Sequence, residues 1–218
     1  MGLLKNNLYA ALANIKLFLA FLAVMGGALL ITGNGTLLTA FSLISAPAFA
    51  LLAISCLRKE AASKWSKYKL TFPISRKEII KSQFQSHMIG TAFGVLLAAV
   101  FMGLTVLIHG NLYFYYGFRD AITLLIGSGV LAFLMGAISY PMFYFWGAER
   151  MEAILAIGML GSVGIALGLT WIINFMVGFG QVDDFQYYMS MAFIVAVTLA
   201  ALALSFALSV MIFRKKEY

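Results

Sequence analysis

The sequence predicts an all-α integral membrane protein with six transmembrane helices, and three observations carry that prediction. Hydrophobic residues make up 63% of the chain and charged residues 11%, against roughly 45–50% and about 25% in soluble domains, and mean hydropathy is +0.97. Six windows free of Asp, Glu, Lys and Arg match or approach the roughly 20 residues that a helix needs to cross a hydrocarbon core about 30 Å thick. Nowhere do these blocks alternate with the period of two that barrel strands require.

The elements follow in order. Leu4, Leu8, Ala11, Leu12 and Ile15 recur at helical spacing, with Lys5, Asn6, Asn7 and Asn14 mostly elsewhere. Residues 1–16 are therefore expected to form a helix lying in the membrane interface. The spans are Leu17–Thr32, Thr36–Leu57, Ile89–His109, Ala121–Trp146, Ala153–Gly178 and Met189–Phe213, the first being the shortest. Lys5 and Lys16 ahead of an apolar run mimic a secretory signal, yet no small-residue cleavage site follows Ile31 and a second span begins at Thr36, so the first is expected to stay. Pro47 and Pro141 are expected to kink spans two and four. No linker, low-complexity run or long repeat divides residues 1–218, which read as a single transmembrane domain.

Orientation follows from charge. With the N-terminus inside, Lys5, Lys16, the eight basic residues between Arg58 and Lys81, Arg150, Arg214, Lys215 and Lys216 face the cytoplasm and only Arg119 faces out. That asymmetry obeys the positive-inside rule and predicts cytoplasmic termini. Residues 58–81 hold eight basic and two acidic residues, +6 of the net +7. This charge is no nucleic-acid signal. It faces the anionic inner leaflet or a cytoplasmic partner. Asp120, Asp183 and Asp184 with Tyr113, Phe114, Tyr115, Tyr116, Tyr187 and Tyr188 suit the outer loops and interface.

One cytoplasmic loop is substantial, residues 58–88. Ala61, Trp65, Tyr68 and Phe72 form an apolar stripe at i, i+4, i+7 and i+11, while Lys59, Glu60, Lys64, Lys67 and Lys69 occupy the other faces. Pro73 then biases Phe72 away from helical geometry. Ser75-Arg76-Lys77-Glu78 reads as a capping box, so a new helix is expected to start at Ser75 and run into span three.

Several chemistries are excluded. His87 and His109 fall near opposite ends of span three, cannot share a metal, and read as interfacial polar residues. Leu160-Gly161-Ser162-Val163-Gly164 lacks the first Gly of a nucleophile elbow, and no acid or His lies within a span to complete a triad. No span holds an acid or base that would carry protons through a bundle, and no P-loop exists, so the chain is not expected to bind ATP by that mechanism and the energy for any work it does comes from another chain. Cys56 alone forms no internal disulfide and reads as a small buried residue. Gly90-x-x-x-Gly94-x-x-x-Ala98 and Gly164-x-x-x-Gly168 permit close helix approach, either within the bundle or between copies.

The phrase Trp65-Ser66-Lys67-Tyr68-Lys69-Leu70-Thr71-Phe72-Pro73-Ile74-Ser75-Arg76-Lys77-Glu78-Ile79 resembles the signature Leu-x-x-Pro-[Ile/Val]-Ser-Arg-x-Glu-Ile of the ABC-2 type transporter permeases. Within that family the chain looks most like the membrane subunits of phenol-soluble modulin exporters and related bacterial peptide exporters. The resemblance implies that residues 58–70 form a coupling helix docking on a separate ABC ATP-binding subunit, which holds the ATP and Mg. Trp65 and Tyr68 would be its anchors, Lys64 and Lys67 its steering charges, and Phe72, Pro73, Ser75, Arg76 and Glu78 its hinge. It further implies a second permease copy or paralogue, a bacterial plasma membrane and hydrophobic or amphipathic peptide cargo. Membrane lipid is the remaining partner. The short outer loops depart from larger relatives, which carry an extracellular domain or re-entrant helices. Two other readings are a six-span substrate-capture subunit of a vitamin importer and a membrane anchor or sensor that recruits a cytosolic partner through residues 58–81.

Overall fold

A computed structural model describes residues 2–13, 15–63, 75–111, 113–115, 117–177 and 182–215. Its described elements are helical: α1 (Gly2–Ala13), α2 (Ile15–Thr32), α3 (Gly35–Ala62), α4 (Arg76–His109), α5 (Phe118–Trp146), a short 3-10 turn (Ala148–Arg150), α6 (Met151–Val177) and α7 (Asp184–Lys215). Five helices are long and apolar enough to cross a membrane, namely α3, α4, α5, α7 and the 148–176 stretch of α6. The sixth expected span, in α2, offers a shorter apolar run, Phe18–Thr32. The helices run beyond the uncharged windows, because a helix does not stop where hydropathy does.

Successive helices run up and down, so α1, the ends of α3, α5 and α7 and the starts of α4 and α6 meet at one end, here the base. Every described Lys and Arg except Arg119 belongs to that end. At the centre of the bundle α3 packs on α4 and α5, and α5 carries both α6 and α7, which scarcely touch each other. One apolar cluster joins Ile54, Ile80, Met135, Tyr140, Met151 and Phe213 from five helices. A second joins Leu29, Phe41, Phe49 and Met102 from α2, α3 and α4.

Lipid tails are as apolar as Leu, so burial alone does not hold such helices together; close packing and hydrogen bonds do. Gly94 supplies the first. A Cβ there would lie 2.6 Å from the Ala46 Cα and 2.8 Å from the Ser45 carbonyl oxygen, both backbone atoms that cannot step aside. Gly94 thus belongs to the interior of the bundle, at the α3–α4 crossing. Beside it Pro47 interrupts the α3 hydrogen-bond ladder, and the Ala46 amide donates to the Ser128 hydroxyl of α5 at 3.2 Å. Such side-chain partners let membrane helices tolerate proline.

At the end opposite the base, Arg119 in the first turn of α5 reaches the start of α7. Its Nη1 pairs with Asp184 at 2.8 Å, its guanidinium covers the Tyr187 ring at 4.4 Å, and the Tyr187 hydroxyl donates to the Arg119 carbonyl at 2.9 Å. Past mid-height toward the same end, α4 and α7 part over the surface of α5. They leave an apolar groove of about 230 Å³ walled by Val95, Gly129, Phe133, Val195 and Leu199 among others.

Candidate functional site

The base holds the predicted coupling region. Lys64, Trp65, Lys67, Tyr68, Phe72 and Pro73 lie outside the described residues, whereas Ser75, Arg76 and Glu78 lie within them. The capping box forms: the Ser75 hydroxyl accepts from the Glu78 amide at 3.2 Å, and the Glu78 carboxylate accepts from the Ser75 amide at 3.1 Å. The Ser75 amide gains its acceptor, the Glu78 amide gains one besides the Ser75 carbonyl at 3.0 Å, and a carboxylate sits at the positive end of the helix dipole.

Arg76 points away from this cap. Its Nη1 donates to the carbonyls of Phe213 at 2.9 Å and Arg214 at 3.0 Å, and its guanidinium lies 5.6 Å from the Phe213 ring centre. These are carbonyls of the last described turn of α7. A cation also favours the negative end of a helix. The Ser-Arg-x-Glu stretch therefore does two jobs: Ser75 and Glu78 start α4, and Arg76 ties that start to α7.

Above this turn lies a polar layer that the hydropathy pattern does not announce. Gln83, 7% exposed, presents its amide to two helices. Its Nε2 donates to the Glu60 carboxylate on the last turns of α3 at 3.3 Å, and its Oε1 accepts from the Tyr144 hydroxyl of α5. A carboxylate only accepts, so the amide orientation is set by Glu60. The Gln83 carbonyl accepts from the Tyr140 hydroxyl at 3.3 Å. One residue back, the Ser82 hydroxyl donates to Ile79 at 2.7 Å and accepts from Asn7 Nδ2 of α1 at 3.1 Å. Asn7, read as lying off the apolar stripe, is buried, whereas Leu12 of that stripe is exposed, as is Tyr9. Asn7, Cys56, Glu60, Gln83 and Ser86 line one small cleft there. Cys56 itself is buried, as expected of a small structural residue.

His87 corrects an expectation. Instead of lying at the interface it is fully buried, its Nε2 donating to the Ala132 carbonyl of α5 at 3.0 Å and its ring edge-on to Tyr140. α4 starts at Arg76, so His87 is already three turns inside, where Gly136 admits the ring: a Cβ at 136 would meet its imidazole. His109 remains near the far end and caps α2, its Nε2 donating to the Leu30 carbonyl at 2.9 Å. Arg58 pairs with Glu152 at 3.1 Å between α3 and α6, but both side chains are largely exposed, 58% and 85%, and such a pair contributes about 0–1 kcal/mol.

The layer contains donors, acceptors and one carboxylate but no arrangement for bond chemistry. Among the described residues no cluster of His, Cys, Asp and Glu is placed to hold a metal ion. What the geometry does is fasten the two helices that flank residues 64–74 to each other and to α1, α5 and α7. Gln83, Tyr140 and Tyr144 escaped the sequence reading, and Glu60 entered it only as part of a charged face. Their one legible signal was a pair of tyrosines four apart astride Pro141.

A family model described as ABC-2 family transporter protein matches residues 2–214, nearly the whole chain. No curated protein and no solved structure matches it.

Proposed function

Because this chain belongs to the ABC-2 family of transporter proteins, and is thus a membrane permease component of an ABC transporter, we propose that it exports hydrophobic or amphipathic cargo, peptides foremost. In this reading ATP and its Mg are bound and spent on a separate ATP-binding subunit. That subunit docks on residues 58–70, with Trp65 and Tyr68 as aromatic anchors in a groove and Lys64 and Lys67 steering the approach.

The observation that carries the reading is the construction of the loop's base. Free surface loops do not need a buried Gln, two buried Tyr hydroxyls and an arginine clamp beneath them. A loop that receives force does, since displacement is passed on only through elements held in fixed relation. Gathering the described basic residues at that end, Arg119 excepted, supports placing it and both termini in the cytoplasm of a bacterial cell. The α1 helix, bonded through Asn7 at the same level, suits a position in the inner interface beside anionic lipid.

A second copy or paralogue completes the route in this proposal. The face of α6 toward the end opposite the base supports it: added Cβ atoms at Gly164 and Gly168 would meet nothing within 4 Å, and Trp171 and Phe175, stacked at 5.9 Å, continue the same stripe in exposed positions. Small residues four apart with open space before them let a neighbouring helix come close.

The test is reconstitution of the chain with an ATP-binding subunit in liposomes, following ATP turnover with and without an amphipathic helical peptide. The expected result is peptide-stimulated turnover in the parent, lost together with complex formation in the double variant Trp65→Ala, Tyr68→Ala. A double variant that binds and turns over like the parent rejects the docking surface. A peptide that changes nothing while the complex forms rejects peptide as cargo.

A further inference from the structure

Between the loop and the rest of the bundle, one residue of α4 bonds both α3 and α5. Gln83 belongs to α4, the leg that leaves the loop, and bonds Glu60 on α3, the leg that enters it. It bonds α5 twice, accepting from Tyr144 at its side chain and from Tyr140 at its carbonyl. Those two tyrosines straddle Pro141. Proline has no amide to give the carbonyl four residues back, so helices bend there more easily than elsewhere. Gln83 thus grips α5 within its weakest turn, at Tyr140, and one turn further on, at Tyr144. α5 in turn supports α6 and α7, which scarcely touch each other. The carboxamide is what the position requires: Glu60 needs a donor and the Tyr144 hydroxyl an acceptor, and one Gln provides both. Glutamate would set two carboxylates against each other, and leucine would withdraw both bonds.

We propose that Gln83 is a positioning residue that transmits displacement of the coupling segment, residues 58–70, to α5, bending it about Pro141 and thereby moving α6. This rests on the coupling role proposed above for that loop. Nothing is transferred covalently. The signal is a rigid-body displacement carried by hydrogen bonds with two fixed attachment points on one helix.

Hydrogen–deuterium exchange of the full chain assembled with its ATP-binding subunit in lipid nanodiscs, with and without a non-hydrolysable ATP analogue, tests it. The parent complex is expected to show nucleotide-dependent exchange at both 58–88 and 147–177. In Gln83→Leu the change at 58–88 persists, while that at 147–177 falls about fivefold or more, the size of an ordinary coupling between sites. Tyr144→Phe, which removes only a hydroxyl, is expected to move the same way and to add little to Gln83→Leu, because both break one link. A full response at 147–177 in Tyr144→Phe and Gln83→Leu, or a bound parent complex with no response there, overturns the inference. Failure of the ATP-binding subunit to bind the parent chain at all instead removes the coupling reading, and the inference with it.

Discussion

The guanidinium of Arg76 stands on the carbonyl of Phe213, at 2.9 Å. The two residues are 137 apart in sequence, so the first turn after the loop and the last turn of the last long helix form one joint. Arg76 reads in the sequence as part of a local signature. Its partner is global.

Replacing Arg76 with Ala is expected to lower the thermal stability of the detergent-solubilised chain by about 1–2 kcal/mol, less than a fully buried charge-assisted pair because the contact is half exposed. Lysine should recover only part of this, since its ammonium lacks the planar guanidinium that also lies 5.6 Å from the Phe213 ring centre. Unfolding midpoints of the three proteins, measured in one detergent, decide it; equal midpoints for Ala and Arg would remove Arg76 from the joint.

The two small-residue motifs should behave oppositely. Gly94→Val drives side-chain atoms into the backbone of Ala46 and is expected to cost at least the 1–3 kcal/mol of an overpacked core, seen as loss of monodisperse protein. Gly164→Val and Gly168→Val meet open space within the chain, so the protein should fold normally and self-associate less. Size-exclusion profiles with chemical cross-linking distinguish the outcomes.

His87 and Gly136 form a coupled pair. Gly136→Ala places a methyl against the buried imidazole and should destabilise, whereas His87→Ala costs its hydrogen bond to Ala132, about 0.6–1.7 kcal/mol in a membrane, plus the cavity left by the ring. The double variant is expected to be more stable than the sum of the two predicts, because the clash disappears with the ring. Strict additivity in a double-mutant cycle would show that the two do not meet.

At the far end, Arg119→Gln removes both the pair with Asp184 and the ring contact with Tyr187. With the Arg119 side chain 21% exposed and Asp184 73% exposed, the expected loss is about 1 kcal/mol. Raising the salt concentration should shrink the gap between parent and variant. A gap insensitive to salt would assign the effect to the aromatic contact and the hydrogen bonds to the Val182 carbonyl.

Much of the architecture was legible because its causes are local. Uncharged windows mark membrane helices one by one, and Ser75 and Glu78 mark a helix start through atoms three residues apart. What stayed hidden depends on which residues of different helices arrive at one height. Gln83 meets Glu60 and Tyr144 only because α3, α4 and α5 share a register that no window reports. Gly94 and Gly168 sit in similar small-residue motifs, yet one faces Ala46 and the other faces outward. His87 precedes its uncharged window by only two residues, so hydropathy placed it at an edge, while the earlier start of α4 set it inside.

The two arginine joints have a joint mechanical consequence. α7 is pinned to α4 at the base by Arg76 and to α5 at the opposite end by Arg119, so it cannot slide along its axis without breaking one of them. Between the pins, the groove it shares with α4 is apolar, and the one hydroxyl there, Thr198, is already bonded to the Ile194 carbonyl of its own helix at 2.8 Å. α7 is therefore a beam tied at both ends and laid along α5, and the gap beside Val95 and Val195 is walled by apolar contacts.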